Sequence, residues 1–455
     1  MVLPWVLSLG VAALAASSAQ AASTYRLVDT FNSTNFFSEF DFFTQPDPTH
    51  GFVNYVDAAA ANRDGLAGYS QGGVYLGVDH TNTTTTGRSS VRVTSKKAYT
   101  KGLFIADIAH MPAGAMGSNS CGLWPAFWMF GPNWPSSGEI DIIEGVNTQA
   151  SNAVTLHTGA GCSVSNAGSA PGTKLVSSNC QGNEGCSQQT SASSSYGADF
   201  NAAGGGVYVL EWTDTSIKVW FFPRNSTMAA QLSAPSSTLS PPTPNSIRYS
   251  SPRFRNSSDS ATPDPSTFGS PLAAFAGTSS SSSSSLSSTT TSRRNNTPNK
   301  RNNKRDNSTT CPIDSHFANH NLVFDTTFCG DWAGAVWAQD QTCSALASTC
   351  QDYVGQNPEA FAEAYWLVRG IRVFQVTEQD DGQGEAGGQE EVGSGGSGNG
   401  QGDSEGGGQD GQGEGQDQEG GDTGYTQRWR RRAARRSERR SERRMIGEKG
   451  TVRWT

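Results

Sequence analysis

Three carboxylates fall within six residues in the stretch Ser137-Gly138-Glu139-Ile140-Asp141-Ile142-Ile143-Glu144-Gly145. The isoleucines between them favour extended chain. On a strand, successive side chains point to opposite faces. Glu139 and Asp141 then share one face, while Ile140 and Ile142 point into a core. Glu144, five positions from Glu139, falls on the wrong face of a regular strand. One β-bulge near Ile142-Ile143 restores the parity and brings all three acids to one face. Like charges at such range raise the pKa of at least one of them. That arrangement suits glycoside cleavage. One ionised carboxylate attacks the anomeric carbon, and one protonated carboxyl donates to the leaving oxygen. In the retaining case the two stand about 5–5.5 Å apart, a separation one strand can supply. A metal site or a solvated acidic strand would use the same residue types. Calcium, however, wants oxygen ligands wrapped around it by a loop. A strand with alternating isoleucine does not wrap, so neither a metal nor another cofactor is expected.

Aromatic residues flank the acids. Gly122-Leu123-Trp124-Pro125-Ala126-Phe127-Trp128-Met129-Phe130 precedes them, followed by the turn Gly131-Pro132-Asn133-Trp134-Pro135. Sugar rings have apolar faces that stack on aromatic rings. Trp128 reads as a core residue. Trp134, in a Pro/Asn turn beside the carboxylates, is the better sugar platform.

These residues need a rigid scaffold, and the surrounding sequence supplies one. Residues 25–277 are rich in Gly, Asn, Ser and Thr, with short runs of β-branched and aromatic residues. Examples are Gly73-Val74-Tyr75-Leu76-Gly77-Val78, Ser90-Val91-Arg92-Val93, Gly206 to Trp212 and Ile217 to Phe222. Short runs separated by turn residues are the pattern of an all-β sandwich. Asn357 to Tyr365 reads as a helix, with Pro358 in its first turn. Ile371-Arg372-Val373-Phe374 reads as a closing strand.

Residues 1–21 read as a signal peptide, with an apolar run ending in the small-x-small site Ala19-Gln20-Ala21. No other stretch approaches the ~20 apolar residues of a spanning helix. A soluble, secreted, monomeric protein is expected, with no membrane partner. Eight cysteines, Cys121, Cys162, Cys180, Cys186, Cys311, Cys329, Cys343 and Cys350, fit that compartment. An even count favours disulfides, though eight cysteines allow about 105 pairings and the sequence does not choose among them. Sequons at Asn32, Asn82, Asn225 and Asn256 could carry glycans.

Residues 278–310, a Ser/Thr run followed by basic clusters, have little to bury and read as a disordered insertion within one domain of residues 22–377. Residues 378–422 hold thirteen Asp/Glu and no Lys or Arg, an acidic, self-repelling linker. Residues 423–455 hold twelve Lys/Arg and three Glu, a basic tail. That tail is either a solvated end or a patch for nucleic acid or anionic surfaces. The whole chain carries −8. Setting aside the tail and the insertion leaves the rest clearly acidic, which argues against a nucleic-acid partner for the folded part.

The motif block carries a family resemblance. Trp124-Pro125-Ala126-Phe127-Trp128 and Gly138 to Asn147 resemble glycoside hydrolase family 16, in its fungal laminarinase and mixed-linkage β-glucanase branch. The likeness extends to Phe42-Phe43 with Asp47 to Val53, to Thr155-Leu156-His157-Thr158, and to Trp220 to Arg224. It resumes at Cys329 to Gly334 and Ala364-Tyr365-Trp366, so it covers most of residues 25–277 and 311–374. The resemblance implies a concanavalin-like β-jelly roll, two curved antiparallel sheets with a cleft on the concave face. It implies Glu139 as nucleophile and Glu144 as general acid/base. Asp141 would hydrogen-bond to a catalytic carboxylate, and His157 would sit near Glu144 and assist its proton cycling, unless it is purely structural. Trp124, Trp134 and Trp332 suit sugar stacking. The chain departs from the family pattern in an enlarged loop at residues 113–120, in the insertion and in the tail.

The expected activity is hydrolysis of internal β-1,3 or mixed β-1,3/1,4 glucan bonds, with β-glucan as the partner. The alternatives are a cell-wall transglycosylase using the same residues and a non-catalytic glucan-binding jelly roll. The last predicts a broken carboxylate set, and this one is intact.

Overall fold

The computed structural model describes residues 25–114, 120–233, 262–276 and 311–376. The expected leader, insertion, acidic linker and basic tail lie outside the described residues, as does the tip of the 113–120 loop. Asn256 of the sequons lies outside them too, whereas Asn82 and Asn225 are exposed.

Two eight-stranded antiparallel sheets form a jelly-roll sandwich. The first has the order Ala273–Ala276, Ser216–Pro223, Gly206–Trp212, Gly102–His110, Trp366–Val376, Gly73–Leu76, Ala67–Ser70, with Tyr25–Asn32 also pairing to Trp366–Val376. The second has the order Lys174–Ser177, Cys186–Gln189, Ala153–His157, Glu139–Glu144, Leu123–Phe130, His320–Phe328, Arg92–Tyr99, Phe40–Phe42. The acids therefore lie near the middle of the second sheet, where strands on both sides hold the backbone.

Side-chain alternation fixes which face is which. Ile140, Ile142, Val154, Leu156, Met129 and Phe324 turn inward from the second sheet. They meet Ile108, Tyr208, Leu210, Ile371 and others from the first. Burial of each such side chain contributes about 1.5–3 kcal/mol. Reversing the register of Glu139–Glu144 would forfeit several of these at once. The first sheet is covered on its outer face as well. Val207, Val209 and Trp220 pack there against Ala229 and Leu232 of the helix Thr227–Leu232. Burial on both faces explains why Gly206–Trp212 reads as a continuous apolar run.

Four disulfides close the framework: Cys121–Cys343, Cys162–Cys311, Cys180–Cys186 and Cys329–Cys350. Two of them lie in a third apolar cluster with Leu123, Phe328, Trp337 and Phe361. That cluster anchors the start of the Trp124 strand and the turn that carries Trp332.

The expected helix at Asn357 to Tyr365 is not there. The α-helix runs Cys350–Gln356, and only the short 3-10 turn Pro358–Phe361 follows. Pro358 disfavours helical backbone at the residue before it, and Asn357 leaves the helix at φ −121°, ψ 64°. The real start signal is Thr349-x-x-Asp352, in which the Thr349 hydroxyl caps the Asp352 N–H. The closing strand is present and longer than expected, Trp366–Val376. The run at Ser90 to Val93 belongs to two strands, broken at Val91.

Candidate active site

Glu139–Glu144 carries the expected bulge. Against Leu123–Phe130, Asp141 pairs with Trp128 and Ile143 with Phe127, which leaves Ile142 as the extra residue. The register against Ala153–His157 shifts over the same interval. Ile142 and Ile143 are both buried in the core. Two consecutive inward residues reset the alternation, so Glu144 returns to the outward face with Glu139 and Asp141.

His157 is the cross-strand partner of Glu139. Its Nε2 lies 3.2 Å from Asp141 Oδ2 and 3.8 Å from Glu139 Oε1. Among the described residues no such contact runs from His157 to Glu144, so its place is beside Glu139 rather than Glu144. The cause is register: the ring extends from the position directly opposite Glu139. Asp141, in turn, reaches His157 and not a catalytic carboxylate. That contact is ionic and not an aligned hydrogen bond, since Oδ2 has no hydrogen-bond partner among the described residues. His157 Nδ1 donates to the Gly182 carbonyl at 2.9 Å.

Charge is redistributed by burial. Burial lowers the His157 pKa, but the contact and charge of Asp141, the charge of Glu139 and the Gly182 carbonyl outweigh it and raise it to about 10. The ring is an imidazolium at neutral pH. Burial and the Asp141 charge raise Glu139 to about 8. A nucleophile must be ionised, and that rise opposes it. His157, Arg92 and a hydrogen bond from Trp134 pull the other way. Glu144 is raised well above the usual carboxylate range, first by burial and then by Asp141, with the Trp124 hydrogen bond and His157 opposing. The Glu139 charge adds to the effects that hold the proton on Glu144.

The three tryptophans converge on these acids. Trp124 Nε1 donates to Glu144 Oε1 at 2.8 Å. Trp124 also meets Trp332 edge to face, with centroids 5.6 Å apart. Trp134 stands beside Glu139, whose pKa it pulls down, and stays 45 % exposed, the state a sugar platform needs. Trp128 corrects the sequence reading. It is half-buried on the outward face, opposite Asp141, and is not part of the inner core. Its Nε1 donates to Asp325 at 2.9 Å.

Sequence reasoning missed the group around Trp128. Arg92 is 6 % exposed, its guanidinium stacked over Phe43 at 4.5 Å and Trp128 at 4.9 Å. Among the described residues its Nε has no hydrogen-bond partner. Asp325 accepts from Trp128 and from the Tyr55 hydroxyl at 2.7 Å. Burial raises the Asp325 pKa to about 6, against the lowering effect of Arg92 and the two donors. A single Arg in an alternating strand gives no sequence signal of this kind.

Ligand atoms of Glu139, Asp141 and His157 lie within 4.8 Å of one another, close enough to surround a cation. His157 Nδ1 is already committed to the Gly182 carbonyl, which leaves Nε2 as the ring's free ligand atom.

The family pattern described as "XgeA-like, catalytic GH16 domain" matches residues 40–259 and 284–374. The chain belongs to glycoside hydrolase family 16. Curated family 16 relatives include an Arthroderma benhamiae protein named endo-1,3(4)-beta-glucanase, 40 % identical over 338 residues, covering 72 % of this chain and 60 % of the relative. The Emericella nidulans protein named endo-1,3(4)-beta-glucanase xgeA is 36 % identical, covering 72 % of this chain and 44 % of its own length. The chain thus spans about three-fifths or less of these relatives. Among solved structures, laminarinase 16A from Phanerochaete chrysosporium with β-glucans in donor and acceptor sites is 36 % identical, with TM-score 0.59, covering 78 % of this chain and all of that one. An elongating family 16 β-1,3-glucosyltransferase is 37 % identical, with TM-score 0.58, covering 77 % of this chain and all of that one. The jelly roll expected from the sequence is the fold of this family 16 chain.

Proposed function

We propose that this family 16 chain is a secreted, retaining endo-β-glucanase acting on internal β-1,3 or mixed β-1,3/1,4 bonds. The observation that carries the proposal is the bulged strand, which sets Glu139, Asp141 and Glu144 on one face. Glu139 attacks the anomeric carbon while Glu144 protonates the departing glycosidic oxygen. Glu144, now a base, takes a proton from water, which displaces Glu139 from the glycosyl carbon. The His157 imidazolium offsets the Asp141 charge and favours the ionised nucleophile. Trp124 orients Glu144 through its indole N–H, and Trp134 and Trp332 offer ring faces to the sugars beside the cleaved bond. The relatives' names support a glucan substrate.

The glucosyltransferase neighbour favours one other reading, in which the glycosyl group passes to a sugar acceptor instead of water. Purified protein incubated with laminarin, lichenan and cellulose, with products sized over time, tests both. Hydrolysis predicts short oligosaccharides from laminarin or lichenan and none from cellulose. Products longer than the starting chains would establish the transferase. No turnover of any glucan would contradict both.

A further inference from the structure

The bulge that turns Glu144 outward also breaks the ladder around it, and unpaired buried backbone groups are costly. Ile142 has no partner on the neighbouring Leu123–Phe130 strand. One side chain takes over from the ladder. Asn152 Nδ2 donates to the Ile142 carbonyl at 2.7 Å, and its Oδ1 accepts from the Glu144 N–H at 3.0 Å. The carboxamide thus bridges the two ends of the bulge. A carboxamide offers a donor and an acceptor side by side on one planar group, and that of Gln would be a methylene too long here.

Asn152 is itself immobilised. It is fully buried, its N–H donates to Ser195 Oγ at 3.2 Å, and its carbonyl accepts from the Thr190 N–H at 3.1 Å. The Tyr208 hydroxyl in turn donates to the Ser195 carbonyl. The other backbone end of Glu144 is also held, because Gln149 Nε2 donates to its carbonyl at 3.1 Å. Glu144 is therefore tied at its N–H by Asn152, at its carbonyl by Gln149 and at its carboxyl by Trp124. Of these, only Asn152 acts on the bulge itself.

We propose that Asn152 is the positioning residue for the general acid. By bridging Ile142 and Glu144 it holds the bulge in the register that presents the Glu144 carboxyl to the leaving oxygen. The proposal rests on the acid/base reading of Glu144. It makes a claim that a purely structural role does not: loss of Asn152 impairs proton donation selectively.

The test is kcat/KM on aryl β-laminaribiosides, from 2,4-dinitrophenyl, which leaves without protonation, to phenyl, which needs it. Wild type, Asn152→Ala, Glu144→Gln and the double variant are compared, with Tm measured for each. Asn152→Ala should lose about 10²-fold on the phenyl substrate, the scale of a small misplacement, and far less on the dinitrophenyl one. In the Glu144→Gln background the same change should add little on either substrate. Where Asn152→Ala does not fold, Asn152→Ser keeps part of the bridge and is read the same way. An equal loss on every leaving group, or wild-type rates throughout, would overturn the proposal. Glu144→Gln with selective loss and Asn152→Ala without it overturns the positioning role alone. Glu144→Gln without selective loss overturns the acid/base reading and this proposal with it.

Discussion

His157 Nε2 and Asp141 Oδ2 stand 3.2 Å apart on adjacent strands, and this ion pair sets the charge balance of the carboxylate cluster. Asp141 raises the pKa of both glutamates, and His157 lowers both. Removing the imidazolium while leaving Asp141 in place makes ionisation of Glu139 harder. For His157→Gln the acid limb of kcat/KM should move to higher pH by about 1 unit. An unmoved limb, or one displaced to lower pH, would count against this electrostatic role.

Gly185 offers the same test without touching a titratable group. A Cβ at this position would lie 2.8 Å from His157 Nδ1, and the backbone sits at φ +59°. Gly185→Ala should push the ring from its seat, shift the acid limb in the direction of His157→Gln, and cost about 1–2 kcal/mol of stability. A pH profile identical to wild type would show that the ring does not depend on this loop.

The tryptophan beside Glu139 combines two functions that substitution can separate. Trp134→Phe keeps an aromatic face and removes the indole donor, so it should raise the Glu139 pKa and move the acid limb up with little change in KM. Trp134→Ala removes both and should also raise KM on laminarin several-fold. Equal KM values for the two variants would deny Trp134 a stacking role.

Stability should carry the mark of His320. This ring is buried against Trp212, with Nε2 donating to the Ser137 carbonyl at 2.7 Å. Burial lowers its pKa from the usual 6.5 to about 4, the Ser137 carbonyl opposing. The unfolded chain then binds a proton below 6.5 that the folded chain refuses until about 4. His320 thus contributes stability in full above pH 6.5, and that contribution is lost as pH falls towards 4, by about 3 kcal/mol. Urea midpoints of wild type and His320→Gln across this window measure the difference. Parallel curves for the two proteins would refute it.

The sequence made the chemistry more legible than the architecture that supports it. Parity alone demanded a bulge between Asp141 and Glu144, because the acids could not otherwise share a face, and the register shift is at that place. Trp128 misled because Phe127, Met129 and their neighbours look equally apolar in a row, and only cross-strand pairing to Asp141 assigns its face. Asn152 and Arg92 carried no signal, since each acts through partners that the fold, not the local sequence, brings near. The disulfide pairing was open for the same reason: Cys121 and Cys343 are 222 residues apart. Pro358 resembles a helix start in sequence but follows a helix end, because the cap that starts the helix is Thr349 upstream.

That pairing has a consequence for the basic insertion, which lies outside the described residues. Lys300-Arg301 and Lys304-Arg305 are dibasic pairs, the sequence that trypsin and secretory processing proteases cleave after. A cut there would leave two pieces joined by Cys121–Cys343 and Cys162–Cys311. After limited trypsin digestion, fragments should separate on a gel only when reduced. Separation without reductant would contradict the pairing.

Double displacement retains the configuration of the anomeric carbon, and the first product formed reveals it. Glu139 attacks the face of the anomeric carbon opposite the leaving group, and water then displaces Glu139 from the face that the leaving group vacated. Proton NMR of a fresh digest of laminarin or lichenan should show the β-anomer of the new reducing end first, the α-anomer growing in only at the rate of mutarotation. An α-anomer formed first would contradict the roles assigned to both glutamates.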